Sequence, residues 1–312
     1  MGASGQGQAS RRAILAGIAW GLTCAPGFRT FATEDLETDT RQKLRALGLD
    51  PVQEAQSKRF LIVGDAPQTL VRAASKLCEA LADDYFDHFR KRGFTFHEPA
   101  ARLVVIILSG PDSYAKFLGI PVEHAVGGQF DVATNRLVMF DQRAQAEPSP
   151  LAERANTFAL VHEVTHQLTF NSGLLNPSSQ VPKLISEGLA TYAETRRPDA
   201  KARIGAVNQP RLADLGKGPD WIPLPDLLAS DAAFDDPSRS QRAYAAAWLC
   251  IFTLMNDPKL RPGLIAYLDR LREGPAADRV KTATETLGDL SELEAAMRAR
   301  ATKLGVRGLA RP

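Results

Sequence analysis

The chain has 312 residues, of which 44% are hydrophobic and 7% aromatic; that suffices for one substantial core or two modest lobes and excludes a disordered chain. Its 38 Lys and Arg nearly cancel 36 Asp and Glu. No long-range field is left to gather nucleic acid or an anionic membrane surface, and neither is expected as a partner.

The first segment reads as an address. Ser10-Arg11-Arg12 precedes the apolar run Ala13 to Trp20, which is too short to span a bilayer. The pair of arginines with Ile14 and Leu15 behind it resembles the twin-arginine export signal, with Ala16 where that signal often carries Lys; a Sec signal or an uncleaved anchor is the alternative. Thr30-Phe31-Ala32 is a cleavage site of the small-x-small kind. Export to the periplasm or the medium is therefore expected, with residues 1–32 removed and no stable membrane insertion afterwards. Gly21 and Thr23 fit poorly with lipidation at Cys24.

A polar, charged stretch runs from Glu34 to Lys58, and Phe60 to Val63 then forms a short β-type run closed by Gly64-Asp65. Leu70, Ala74, Leu77, Cys78, Leu81 and Tyr85 recur at three and four residues and predict a helix that stops at Gly93. Leu103 to Leu108 is a continuous, largely β-branched run, as in a central strand buried on both faces. Asp112 can cap a short helix through Leu118. Gly127 to Val132 and Arg136 to Phe140, on either side of Ala133-Thr134-Asn135, predict a hairpin that ends the sheet. From Leu151 the pattern is helical almost to the end, punctuated by Pro and Gly. The expected fold class is α+β, a small mixed sheet with helices over 33–172 followed by a mainly helical lobe over 173–312. Cys78 and Cys250 lie in apolar helical patterns, as buried inert thiols or as one bridged pair.

The predicted helix from Glu153 to Phe170 contains His162-Glu163-Val164-Thr165-His166, an H-E-x-x-H motif. Residues four apart share a helix face, so His162 and His166 can aim two imidazoles at one point. Glu163 is rotated by about 100° from His162, which lets its carboxylate approach a metal-bound water without becoming a strong ligand. Zinc suits this set, because it brings the pKa of a bound water toward about 7 and polarises a carbonyl. The competing reading is two histidines satisfied by hydrogen bonds inside a buried helix.

A second helix, Pro182 to Arg196, holds Glu187 in the apolar stretch Leu184-Ile185-Ser186-Glu187-Gly188-Leu189-Ala190. A charge there is costly unless paired or metal-bound. Glu187 is the natural third ligand; a buried ion pair with an arginine such as Arg154 is the alternative. Gly188 is expected to let this helix pack closely on the histidine helix. His88, His97 and His124 have no partner at ligand spacing and read as surface or satisfied residues.

His-Glu-Val-Thr-His with Ser186-Glu187-Gly188-Leu189-Ala190-Thr191-Tyr192 further on resembles the gluzincin branch of the peptidase MA clan. The stretches Arg59 to Gly64, Leu103 to Phe117, Gly128 to Phe140, Trp221 to Leu224 and Tyr244 to Trp248 resemble a set of exported bacterial proteins in that clan. The resemblance implies a zincin-like fold, Zn2+ on His162, His166 and Glu187, and Glu163 as general base. Thermolysin-like members carry an aspartate four residues beyond the glutamate ligand; Thr191 stands there in this chain, and its hydroxyl raises imidazole basicity less than a carboxylate would. Such enzymes also add a Tyr or His donor for the oxyanion from a later helix, for which Tyr244 is the candidate and Tyr192 the rival. In such enzymes the strand bordering the cleft pairs with an extended substrate, here Gln129 to Val132 or Arg136 to Phe140, although an ordinary sheet-edge hairpin would read the same.

The function expected on these grounds is an exported zinc metallopeptidase acting on a peptide or protein. Two alternatives stand beside it: a catalytically weak or inactive binding or assembly module on the same fold, and a hydrolase of non-peptide amides.

Overall fold

The computed structural model describes residues 33–125, 127–145, 150–196, 203–216 and 221–307. The expected export signal lies outside them. The described chain is α+β, with one five-stranded mixed sheet and a helix-rich remainder. Its residues group into two compact units, the first running to Asp83 and resuming over Pro99–Gln167, the second made of Asp84–Glu98 and the residues from Leu168 onward.

The first unit holds β1 (Gln53–Gln56), β2 (Phe60–Gly64), β3 (Leu103–Leu108), β4 (Gly128–Asp131) and β5 (Arg136–Phe140), in the order β1-β2-β3-β5-β4. β3 runs parallel to both neighbours, with Val104 opposite Leu61 and Arg136, while β1 and β4 pair antiparallel at the two edges. All six residues of β3 are buried, which is why the run is hydrophobic throughout instead of alternating. One sheet face packs Val104, Ile106, Val138 and Phe140 against Leu36 and Leu44 of α1 (Thr33–Ala46) and Tyr114 and Phe117 of α3 (Pro111–Leu118).

Two elements here are absent from the sequence reading. The stretch Glu34 to Lys58 contains α1 and β1, because Leu36, Thr40 and Leu44 share one buried face among charged neighbours and Glu54 of β1 is bridged by Arg41. α3 begins with Gly110 as N-cap and Pro111 in the first turn, not with a capping Asp112; proline suits the first helical position because its missing N–H is an orphan there anyway. Asp112 lies inside the first turn, where its charge complements the helix dipole.

Helices α2 (Gln68–Arg90) and α4 (Pro150–Asn171) begin in the first unit. The second unit continues with α5 (Lys183–Ala193), α6 (Gln209–Leu215), α7 (Leu224–Ala229), α8 (Ala232–Asp235), α9 (Ser240–Asn256), α10 (Arg261–Arg272), α11 (Arg279–Leu287) and α12 (Leu290–Lys303). α9 is its centre, buried continuously from Ala243 to Met255. A Cβ on Gly188 of α5 would stand 2.6 Å from Ile251 Cγ1 and 2.8 Å from the Ala247 carbonyl oxygen. Gly188 therefore lets α5 close onto α9, not onto the histidine helix as expected; one residue beyond Glu187 is a turn of about 100° around the helix.

Cys78 and Cys250 are both free and buried, and burial pushes the Cys250 thiol up to about 12. His88 shares a 3.0 Å hydrogen bond with the Tyr192 hydroxyl, while His97 and His124 are exposed. Among the described residues no helix is long and apolar enough to cross a membrane.

Candidate metal centre

α4 is buried over every residue from Ala159 to Phe170, so its apolar side chains run all round the helix and the polar ones among them need specific partners. Side chains from both ends of the motif fix the helix to the sheet. Before it, the Asn156 side chain accepts the Gln142 backbone N–H at 2.8 Å and donates to Asp141 Oδ1 at 2.8 Å. Burial works to raise the Asp141 carboxyl, but Arg143 and Asn156 overcome it and hold that carboxyl below its ordinary value. After the motif, Gln167 Nε2 donates to the carbonyls of Val104 at 3.1 Å and Asn135 at 3.3 Å. Register and rotation of the motif are thus set by hydrogen bonds as well as by packing.

Within that frame His162 and His166 are 0% and 2% exposed, with Nε2 atoms 3.2 Å apart. Glu187 on α5 is 0% exposed. One ligand atom from each of His162, His166 and Glu187 lies within 4.8 Å of the others, and this buried group could hold a metal ion. The donor chemistry fits zinc: two imidazoles and one carboxylate are a catalytic-type ligand set that leaves a fourth position for water or substrate. The imidazole spacing fits as well, since two nitrogens at about 2.0–2.1 Å from one tetrahedral ion stand about 3.3 Å apart.

Glu163 is 2% exposed and points to the sheet side of α4, with Cγ 3.6 Å from where a Cβ on Gly128 of β4 would lie. Burial, and then the charge of Glu163, push the Tyr114 hydroxyl above its ordinary value. Glu163 thus adjoins the edge strand and neighbours, in sequence, a member of the metal-holding group.

The remaining site candidates each have local partners. Thr191 donates its hydroxyl proton to the backbone carbonyls of Glu187 at 2.7 Å and Gly188 at 3.0 Å, so that proton serves the helix itself. Tyr192 bonds His88, and its hydroxyl oxygen would be 2.3 Å from a Cβ on Gly205, a packing role. Tyr244 lies a turn inside α9, which begins at Ser240 and not at Tyr244, and is 2% exposed, its ring edge-on to Phe234 at 5.4 Å and under the Arg211 guanidinium at 5.2 Å. Arg211 in turn forms a bidentate pair with buried Glu194, at 2.7 and 3.0 Å, and Asn208 bonds the same carboxylate at 2.7 Å.

Sequence reasoning missed Asn156, Gln167, Arg211 and Gly128. Polar residues in an otherwise apolar helix were the available signal for the first two; Arg211 pairs with a residue from another helix, which spacing does not reveal. A protein-family model described as "Protein of unknown function (DUF1570)" matches residues 156–276, a span that contains His162, His166 and Glu187. No curated protein matches the chain.

Proposed function

We propose that this protein is an exported zinc-dependent metallopeptidase in which His162, His166 and Glu187 hold the metal and Glu163 is the general base. The observation that carries the reading is the convergence of two imidazoles and a carboxylate, all buried, with a second carboxylate beside them on the edge-strand side. Zinc held there would polarise a scissile carbonyl and make a water acidic near neutral pH. Glu163 takes the proton from the attacking water and returns it to the leaving amine, a role open to a carboxylate and closed to an amide. Tyr244 donates a hydrogen bond to the developing oxyanion. The Asn156 and Gln167 clamps keep α4 from rotating, which holds His162, Glu163 and His166 in one orientation. Substrates are peptides or proteins, met in the periplasm or outside the cell after removal of residues 1–32.

Thr191 favours a second reading. Its hydroxyl proton is given to the helix backbone, where thermolysin-like enzymes carry a carboxylate that raises histidine basicity. A zincin-fold binding module that keeps its metal and does little chemistry is consistent with that substitution. Incubating the zinc-loaded mature protein with a mixed peptide library, with and without a chelator, separates the two: chelator-sensitive cleavage supports the peptidase, and intact peptides with bound zinc support the module.

A further inference from the structure

We infer that the protein has a second ligand site, an open cleft at the carboxyl ends of its parallel strands that takes a neutral saccharide. The cleft has a volume of about 460 Å³, and no member of the metal-holding group lies in its wall. That volume is within the range of about 300–1,000 Å³ usual for small-molecule sites. The sheet topology builds it. β2, β3 and β5 run parallel and end at Gly64, Leu108 and Phe140, and the residue after each, Asp65, Ser109 and Asp141, lines the cleft. Antiparallel β1 begins at the same end, with Gln53 opposite Gly64 and also in the wall. Neighbouring strands are about 4.8 Å apart, so these four polar side chains stand in a row along one end of the sheet. The crevice outside the carboxyl ends of parallel strands is where open α/β sheets bind ligands.

The charges in this row are compensated within the protein. Asp141 accepts from Arg143 at 2.6 Å and from Asn156 at 2.8 Å. Asp65 accepts the Ser109 backbone N–H at 2.8 Å and the hydroxyls of Ser109 and Ser113 at 2.8 and 2.7 Å. A charged ligand would give up hydration without meeting an uncompensated partner. Hydrogen-bonding capacity of both kinds is left over. Arg143 spends Nε and Nη2 on Asp141, so Nη1 can donate. Gln68, also in the wall, gives its amide N–H to the Glu54 carbonyl at 3.1 Å and keeps its amide oxygen as an acceptor. Asp65 uses three of roughly four lone-pair sites. A hydroxyl both donates and accepts, and adjacent hydroxyl pairs match planar carboxylate, amide and guanidinium groups. Pro51 and Pro67, both exposed, add the apolar surface on which the C–H face of a sugar ring can lie.

Titration of the mature protein with cellobiose, maltose and N,N′-diacetylchitobiose, followed by calorimetry or ligand-observed NMR, tests this. At least one should bind with a millimolar or tighter Kd, and cationic chitobiose and anionic lactobionate should each bind about tenfold more weakly than the best neutral disaccharide. Ala144, exposed in the cleft wall, gives a blocking variant: Ala144→Trp removes none of the hydrogen bonds above and should weaken that disaccharide by about tenfold or more at an unchanged melting temperature. No binding by any of the three at about 50 mM, where a millimolar site would be saturated, overturns the inference. So does equal affinity in Ala144→Trp, or a charged sugar bound as tightly as the neutral one. If Ala144→Trp does not fold, Gln53→Ala on the edge strand decides the matter: a loss of about tenfold supports the site, and unchanged affinity overturns it.

Discussion

The Nε2 atoms of His162 and His166 face each other across 3.2 Å, one turn apart on a helix buried from Ala159 to Phe170. Two imidazole nitrogens at that spacing suit one tetrahedral ion bound by both. Purified mature protein should accordingly carry about one zinc per chain, and Glu187→Ala should lose most of it, because three protein ligands are the usual minimum for a catalytic zinc site. Full zinc occupancy in Glu187→Ala would remove Glu187 from the ligand set.

The pair Arg211–Glu194 is a separate matter of stability. Both side chains are almost fully buried, and removing one leaves the other charge uncompensated. Arg211→Met should cost about 3–5 kcal/mol in denaturant unfolding, and adding Glu194→Leu should recover much of it. A double variant no better than the single one would show that the pair is not the source of the loss.

His88 predicts a pH dependence. Burial first, then the Arg92 charge, hold its imidazole down to about 4; Arg261 adds to this, and Asp87 and Asp84 oppose it. Against an ordinary value near 6.5, the unfolded chain binds the proton more readily than the folded one. Stability from this residue is therefore fully present above about pH 6.5 and falls as the pH drops toward 4. Melting temperatures measured across that window should decline less steeply in His88→Gln than in the parent, and equal slopes would assign the acid loss to other groups.

Tyr244 can be separated from its packing role by kinetics. Tyr244→Phe keeps the ring between Phe234 and Arg211 and removes only the hydroxyl. The expected result is a kcat lower by roughly ten- to a thousandfold with zinc and melting temperature retained. Unchanged kcat would leave Tyr244 as a core aromatic.

Much of this was legible before any coordinates. The β-branched run Leu103–Leu108 could only be a central strand, and two histidines four apart in an apolar helix could only share a face. Three things were hidden for identifiable reasons. α1 is half charged, with just a narrow buried stripe, so its period does not stand out. The direction of Gly188 depends on which helix lies beside it, and Ala247 and Ile251 are some sixty residues away in sequence. The clamps from Asn156 and Gln167 end on backbone and side-chain partners in Asp141, Gln142, Val104 and Asn135 that local pattern does not connect to α4.

The most direct test of the central claim compares zinc-loaded parent and Glu163→Gln on the same peptide mixture. The variant should fold, bind zinc as the parent does and lose hydrolysis by several orders of magnitude, because an amide cannot accept the proton of the attacking water. A parent that cleaves peptides no better than Glu163→Gln, with zinc bound in both, would contradict the assignment of this buried centre as a peptidase site.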